Sequence, residues 1–340
     1  MIIIYINGVE YAKCFQKVEW SGGINGSSRV LQVQYEYNKI KLKLGDKVEF
    51  KLNNTKTLFL GKIFELTSNA NKTTNTFKAY DASIYLNKNK FVKNYFNRVP
   101  SEIVKEICGE LSLSVGELPS DKVKCTFPAI GRSGYEIILA AYTIQHNKDK
   151  IIYSLVCNGE NIEIVEQGVL LEGVNLNTKI GIREAEYTES LEDMINQIVV
   201  YKTENEKAQI IDKVANEQDK RDYGLFQDTI EYTKDMNNIF NAKDMLKGVK
   251  RSGIIRVGGN PNLQSGYRVA IEEINSGFIG NFLIESDSHI FENGDYYTNL
   301  NLIFENTMDK IDFEKNRRKT KENVVDVEIS TKHDYGFDWE

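Results

Sequence analysis

The chain has 340 residues, enough for two or three domains, and its 41% hydrophobic and 27% charged content excludes a disordered or membrane-embedded class. Forty-three basic against forty-nine acidic residues give a net charge of −6, which argues against specific nucleic-acid binding. The central apolar run Ile137 to Tyr142 falls far short of the roughly 18 residues of a membrane span, and Met1 to Ile6 is too short for a signal-peptide core, so synthesis in the cytoplasm without stable membrane anchoring is expected.

Ile2, Ile4 and Ile6 alternate up to Asn7-Gly8, a hairpin signal because both residues tolerate positive φ. Val9 to Trp20 continues as extended chain, and Arg29 to Tyr37 alternates polar residues with Leu31, Val33, Tyr35 and Tyr37, the pattern of a half-buried strand. Three more strand-like runs between Leu42 and Ala79, broken at Asn53-Asn54-Thr55 and at Ser68 to Thr74, complete a β-rich unit that reads as a small barrel or sandwich.

The middle of the chain changes period. Pro100 marks a helix start, with Ile103, Val104, Ile107 and Leu111 at helical spacing; Tyr135, Ile138, Leu139 and Tyr142 form a second stripe. Both stripes read as core packing. A hairpin through Asn158-Gly159 follows, so this part is α/β. Strands return from Glu186, with Ile195 to Tyr201 β-branched. The charged stretch Glu204 to Lys220 fits a loop, a hairpin tip or a short helix, and Asn238 to Gly248 has helical spacing with Gly248 as its stop.

Leu263, Gly266 and Val269 repeat the spacing of Leu42, Gly45 and Val48. Phe278, Gly280 and Phe282, then Ser286 and Asp287, then Thr298 to Leu302 follow in the order of Phe59, Gly61 and Ile63, then Ser68 and Asn69, then Thr74 to Ala79. An internal duplication of the β unit is expected. The last stretch, Asp309 to Glu340, holds seven basic and nine acidic residues and reads as a mobile tail. Its terminal Tyr335, Phe337 and Trp339 alternate with acids, a composition suited to docking in a partner's groove.

No catalytic signature is present: Gly-x-Ser-x-Gly, Gly-x-x-x-x-Gly-Lys-Ser/Thr and His-Glu-x-x-His are all missing. Carboxylate pairs such as Glu102 with Glu106, Glu184 with Glu186, Glu192 with Asp193 and Glu272 with Glu273 fit solvated faces in a chain with 49 acids. His146 suits a helix C-terminus, and His289 lies in a strand near Asp287. Cys14, Cys108, Cys125 and Cys157 are scattered without a Cys-x-x-Cys and read as reduced thiols. The chain is therefore expected to be no enzyme, with no metal site and no cofactor.

Several segments resemble one family. Leu44-Gly45-Asp46-Lys47-Val48, Phe59-Leu60-Gly61-Lys62-Ile63, Ala79-Tyr80-Asp81, Pro100-Ser101-Glu102-Ile103-Val104, Tyr223-Gly224-Leu225-Phe226-Gln227 and Gly266-Tyr267-Arg268-Val269 with His289-Ile290-Phe291 look like the XkdQ-type tail hub proteins of contractile phages and phage-tail-like bacteriocins, over about residues 1 to 305. Gly266-Tyr267 departs from the Gly-Asp of that pattern, which leaves the end of the turn open.

The resemblance implies an α+β, mainly β fold with two tail-tube-like β-barrel domains and an α/β insert between them. The boundaries expected are 1–88, 89–185, 186–308 with a helical insert near 236–250, and the tail 309–340. It further implies a homotrimeric baseplate hub whose six similar barrels join a hexameric tail tube above to a trimeric spike below, beside other baseplate proteins. DNA would pass through its channel, whose wall should favour polar or acidic side chains. Tyr35 and Tyr37 are candidate subunit contacts, with core packing as the alternative. A cell-wall hydrolase or a carbohydrate-binding component of the same particle is the rival reading.

Overall fold

The computed structural model describes residues 2–304 apart from 12–13, 27, 37–38, 54–55, 69–73, 178–180, 205–206 and 233–241. The first strands are β1 (Ile2–Ile6), β2 (Val9–Tyr11), β3 (Phe15–Gly23), β4 (Val30–Glu36), β5 (Lys47–Leu52), β6 (Lys56–Thr67) and β7 (Thr74–Tyr80). Asn7 and Gly8 turn β1 into β2 with φ of 50° and 83°, the geometry that the Asn-Gly pair favours. Along β4 every second residue, Leu31, Val33 and Tyr35, points into a core shared with Trp20, Phe50 and Phe77, while Gln32 stays exposed. Each such fully buried large side chain contributes about 1.5–3 kcal/mol.

The middle of the chain forms α1 (Ile84–Lys88), β8 (Lys90–Arg98), α2 (Pro100–Glu110), β9 (Ser114–Val115), β10 (Cys125–Ser133), α3 (Gly134–Asp149), β11 (Tyr153–Asn158) and β12 (Asn161–Glu166). Pro100 occupies the first turn of α2, where its missing N–H costs nothing. Ser133 caps α3: its hydroxyl accepts from Glu136 N at 3.2 Å and the Glu136 carboxylate accepts from Ser133 N at 2.8 Å. Ile103, Val104 and Ile107 of α2 pack with Ile137, Ile138 and Tyr142 of α3 in one core, so both apolar stripes are packing surfaces. The β11–β12 hairpin pairs Asn158 with Asn161, which makes Gly159-Glu160 its turn, one residue later than the sequence suggests.

The remaining elements are β13 (Leu170–Asn177), β14 (Ile182–Ser190), β15 (Gln197–Glu204), β16 (Lys207–Ala215), α4 (Glu217–Tyr223), β17 (Gln227–Glu231), β18 (Lys250–Gly258), β19 (Arg268–Glu273), β20 (Phe278–Glu292) and β21 (Asp295–Ile303). The charged stretch after Glu204 thus resolves into one arm of the β15–β16 hairpin and the short helix α4. The run from Ile195 does not join the main sheet. Strand β15 sits between β16 and β17 in a separate three-stranded sheet, with Ile198, Val200 and Ala242 as its own small core. Only the end of the helical segment expected near 236–250 lies within the described residues, as a helical turn from Ala242 to Asp244.

Among the described residues the main sheet has 13 strands, and it contains the same arrangement twice. The first half runs β1-β5-β6-β7-β4-β3, and the second runs β13-β19-β20-β21-β18-β14. They differ at the outermost pair, antiparallel for β1 with β5 and parallel for β13 with β19. Irregularities coincide as well. Phe64 is the extra residue between Ile63 and Glu65 against β7, as Glu285 is between Ile284 and Ser286 against β21. A second shift falls between Phe15 and Lys17 in β3 and between Ile182 and Glu184 in β14. Gly45 N donates to Ile63 O at 2.8 Å and Gly266 N to Ile284 O at 2.9 Å, while Ile63 N and Ile284 N donate back to Asp46 O and Tyr267 O, both at 2.9 Å. The Gly-Tyr departure therefore leaves these backbone bonds in place, while in the first turn the Asp46 carboxylate also accepts from Lys43 N at 2.8 Å.

This register corrects the pairing of landmarks read from sequence. Val48 lies opposite Gly61 and Val269 opposite Phe282, so Gly61 corresponds to Phe282 and Ile63 to Ile284, two residues beyond the match of Gly61 with Gly280. A two-residue slip keeps every side chain on its face, so alternation could not reveal it. Nor are the halves separate sheets: β3 pairs with β20, so one ladder runs from the first half into the second. Among the described residues backbone pairing closes neither half into a barrel; each packs on its own core, the first also taking in Phe291 of β20.

Because one ladder runs through both halves, they should unfold together. Phe77→Ala and Leu300→Ala, at corresponding positions, are each expected to cost about 2–5 kcal/mol. Urea titrations followed by circular dichroism should show each variant shifting the same single transition of the main sheet, rather than one of two.

Candidate assembly interface

A buried polar cluster marks the seam between the halves. Seven register pairs join β3 to β20, from Gly23 opposite Ser286 to Lys17 opposite Glu292. Beneath them the Arg29 guanidinium grips Asp287 with two nitrogens, Nη1 to Oδ1 at 3.1 Å and Nη2 to Oδ2. Ser265 N also donates to Asp287 Oδ1, at 2.7 Å. Arg29 lies over the Trp20 ring at 4.0 Å, and Trp20 packs on His289 with ring centroids 4.8 Å apart. His289 Nε2 is 3.2 Å from Asp287 Oδ2, and its Nδ1 faces the Tyr296 hydroxyl at 3.0 Å and Thr298 Oγ1 at 3.2 Å.

Gly22 makes the seam possible. It stands opposite Asp287, and a Cβ there would come within 2.6 Å of Arg29 Nη1. Without a side chain, the guanidinium can lie across the strand to reach its acid. Outside the buried cluster, Ser288 Oγ donates to Glu19 at 2.9 Å, and Lys56 Nζ donates to Asn262 Oδ1 at 2.9 Å.

Electrostatics fix the protonation of these acids. Burial would raise the Asp287 pKa, but Arg29 and His289 together hold it well below the usual carboxylate range. Asp81 accepts from Arg29 N at 2.9 Å and from the Ser83 N–H and hydroxyl, yet burial outweighs those bonds and raises it to about 6. The side chains of Asp287 and His289 have no exposed surface, so the pair is a buried brace and presents nothing to a substrate.

The other residues singled out from sequence are dispersed. Tyr35 is 5% exposed and packs against Phe77 in the core of the first half, the core-packing side of the two readings left open by the sequence. Tyr37, Tyr335, Phe337 and Trp339 lie outside the described residues. His146 closes the end of α3 through Nδ1, 2.7 Å from Ile151 O. Glu102 and Glu106 meet Arg98 and Lys93, and Glu184 meets Arg256. The four cysteines are free thiols, with Cys108 and Cys125 pushed up to about 11 by burial. Among the described residues no group of three or more His, Cys, Asp or Glu is placed to hold a metal ion, and no helix is long and apolar enough to cross a membrane.

Replacing Asp287 by Asn would leave Arg29 buried without its counter-charge, an effect of about 3–5 kcal/mol at neutral pH. A depressed carboxylate pKa stabilises the fold above the unfolded value of about 4 and ceases to do so as pH falls through the folded value. The difference between wild type and Asp287→Asn, measured by urea titration, should therefore be constant near neutrality and shrink below about pH 4.

A family model described as YQBQ-like matches residues 18–303. The phage-like element PBSX protein XkdQ of Bacillus subtilis is 24% identical over 273 residues, spanning 78% of this chain and 83% of its own length. Among solved structures, the 43 kDa tail protein of prophage MuSo2 from Shewanella oneidensis superposes with a TM-score of 0.71 at 12% identity, covering 89% of this chain and 97% of its own. The Escherichia coli c3393 protein, described as a type VI secretion component with structural similarity to the T4 bacteriophage tail proteins gp27 and gp5, gives 0.56 at 10% identity, covering 89% and 77%. At these identities the structural matches establish a shared fold, and with the family match over most of its length the chain belongs to the YQBQ-like family.

Proposed function

We propose that the chain is a structural protein of a phage-type tail baseplate, the hub through which a tail tube is joined to a spike. The observation that carries this reading is the repeated half-sheet, with the same six-strand order and coincident irregularities on both sides of one seam. A protomer that holds two equivalent β units supplies six from three copies, which is what a threefold component needs to match a sixfold one. Each half would act as a tube-like barrel segment, completed by its neighbours in the ring. The α/β middle, which occurs once per chain, would sit outside this repeat. The relatives' descriptions, a tail protein, a phage-like element and a type VI secretion component, support the same assignment.

On this reading the ring surrounds a channel wide enough for DNA, and the chain's negative net charge suits a wall that does not retain it. The terminal aromatics Tyr335, Phe337 and Trp339 would dock on a neighbouring baseplate component. Native mass spectrometry of the purified protein should give three times the 38.9 kDa chain mass, and negative-stain images should show a ring with six lobes. A chain that stays monomeric at high concentration would falsify the hub assignment.

A further inference from the structure

The seam inside the chain has a counterpart that the chain cannot satisfy by itself. In the correspondence of the halves, β14 takes the place of β3 and β6 the place of β20. Strand β20 pairs with β19 up to Leu283, and beyond the bulge at Glu285 the same edge receives β3. Strand β6 pairs with β5 up to Lys62, and beyond the bulge at Phe64 that edge receives no strand among the described residues. Strand β3 is held on both sides, by β4 and β20, whereas among the described residues β14 is paired to β18 alone and ends the sheet. One chain thus carries a matched pair of open edges, each equivalent to one side of a joint it already makes.

Open edges of this kind invite another strand. Strand β14 is nine residues long. The β6 edge carries Phe64, 38% exposed, and the half-buried Leu66, apolar groups that an added strand would cover. We infer that the β14 edge of one copy pairs antiparallel with the β6 edge of the next copy, in the register of the internal β3–β20 seam. That register sets Glu65 opposite Ser190, Leu66 opposite Glu189 and Thr67 opposite Thr188, by correspondence with Ser286 opposite Gly23, Asp287 opposite Gly22 and Ser288 opposite Ser21. The contact is head to tail, so repetition with closure gives a ring in which internal and external joints alternate. The inference rests on the ring assembly proposed above and names the surface that builds it.

Cysteine pairs test the register in the full-length chain. Thr67→Cys and Thr188→Cys replace exposed strand residues and leave both cores untouched. Under mild oxidation, a mixture of the two single variants should give a reducible cross-linked dimer and nothing larger, while the double variant should give dimer and trimer. Either single variant alone should remain uncross-linked, which also controls for the native thiols. A particle that keeps a trimeric native mass without the Thr67→Cys to Thr188→Cys cross-link overturns this joint while leaving the hub assignment standing. A monomer in both measurements overturns the two together.

Discussion

The architecture depends on one buried charge pair. Arg29 and Asp287 are 258 residues apart in the chain and meet where β3 joins β20. A hydrogen-bonded ladder alone fixes register weakly, because backbone groups are the same at every step. A guanidinium that finds one carboxylate, with Ser265 N and His289 on the same acid and Trp20 beneath the arginine, allows only one step. Such pairs often add little net stability, but breaking one leaves a charge without compensation. Slippage of the seam is therefore costly, and the two halves keep a defined relation.

The coincident bulges give that relation its meaning. An extra residue bends its strand and increases local twist, so a bulge at the same place in both halves redirects equivalent strands in the same way. Beyond each bulge the strand leaves one neighbour and offers its edge to another. In the second half that neighbour is β3 of the same chain. The halves differ enough in sequence that the counterpart of Gly61 is Phe282, yet the backbone course is preserved. What has been kept is the path of the chain and the location of its edges, which are the properties a repeating assembly uses.

Much of this was legible in the sequence and part of it was not. Alternation located β1, β4 and the strands around Val48 and Ile63, and helical spacing located α2 and α3, because each buries one face against a core. The echo between Leu42 and Leu263 was visible through Gly266, whose backbone bonds to Ile284 match those of Gly45 to Ile63. The finer alignment failed by two residues, a shift that alternation cannot register. Tyr35 was ambiguous because a strand's aromatic face is equally suited to core and contact, and burial decided for the core. Asp287 and His289 could be seen as same-face neighbours at i and i+2. Arg29 and Trp20 could not be joined to them, since nothing local marks a pairing across most of the chain.

The joint proposed between copies would differ from the internal seam in a way that follows from how each would form. Leu66 stands where the second half has Asp287, and Arg251, the counterpart of Arg29, is already paired with Glu189 on its own sheet. A carboxylate on the open β6 edge would be hydrated in the free chain and would have to lose that water on assembly, a penalty that offsets much of the attraction it gains. A leucine gains from the same burial. Within one chain the charges meet once, during folding, and their value lies in fixing register. In the proposed joint between chains the edge would have to stay soluble before assembly and favour contact afterwards, so an apolar group beside ordinary backbone pairing would be the better choice. The substitution of Leu66 for the acid is what a duplicated seam would acquire when one copy joins halves of a chain and the other joins separate chains.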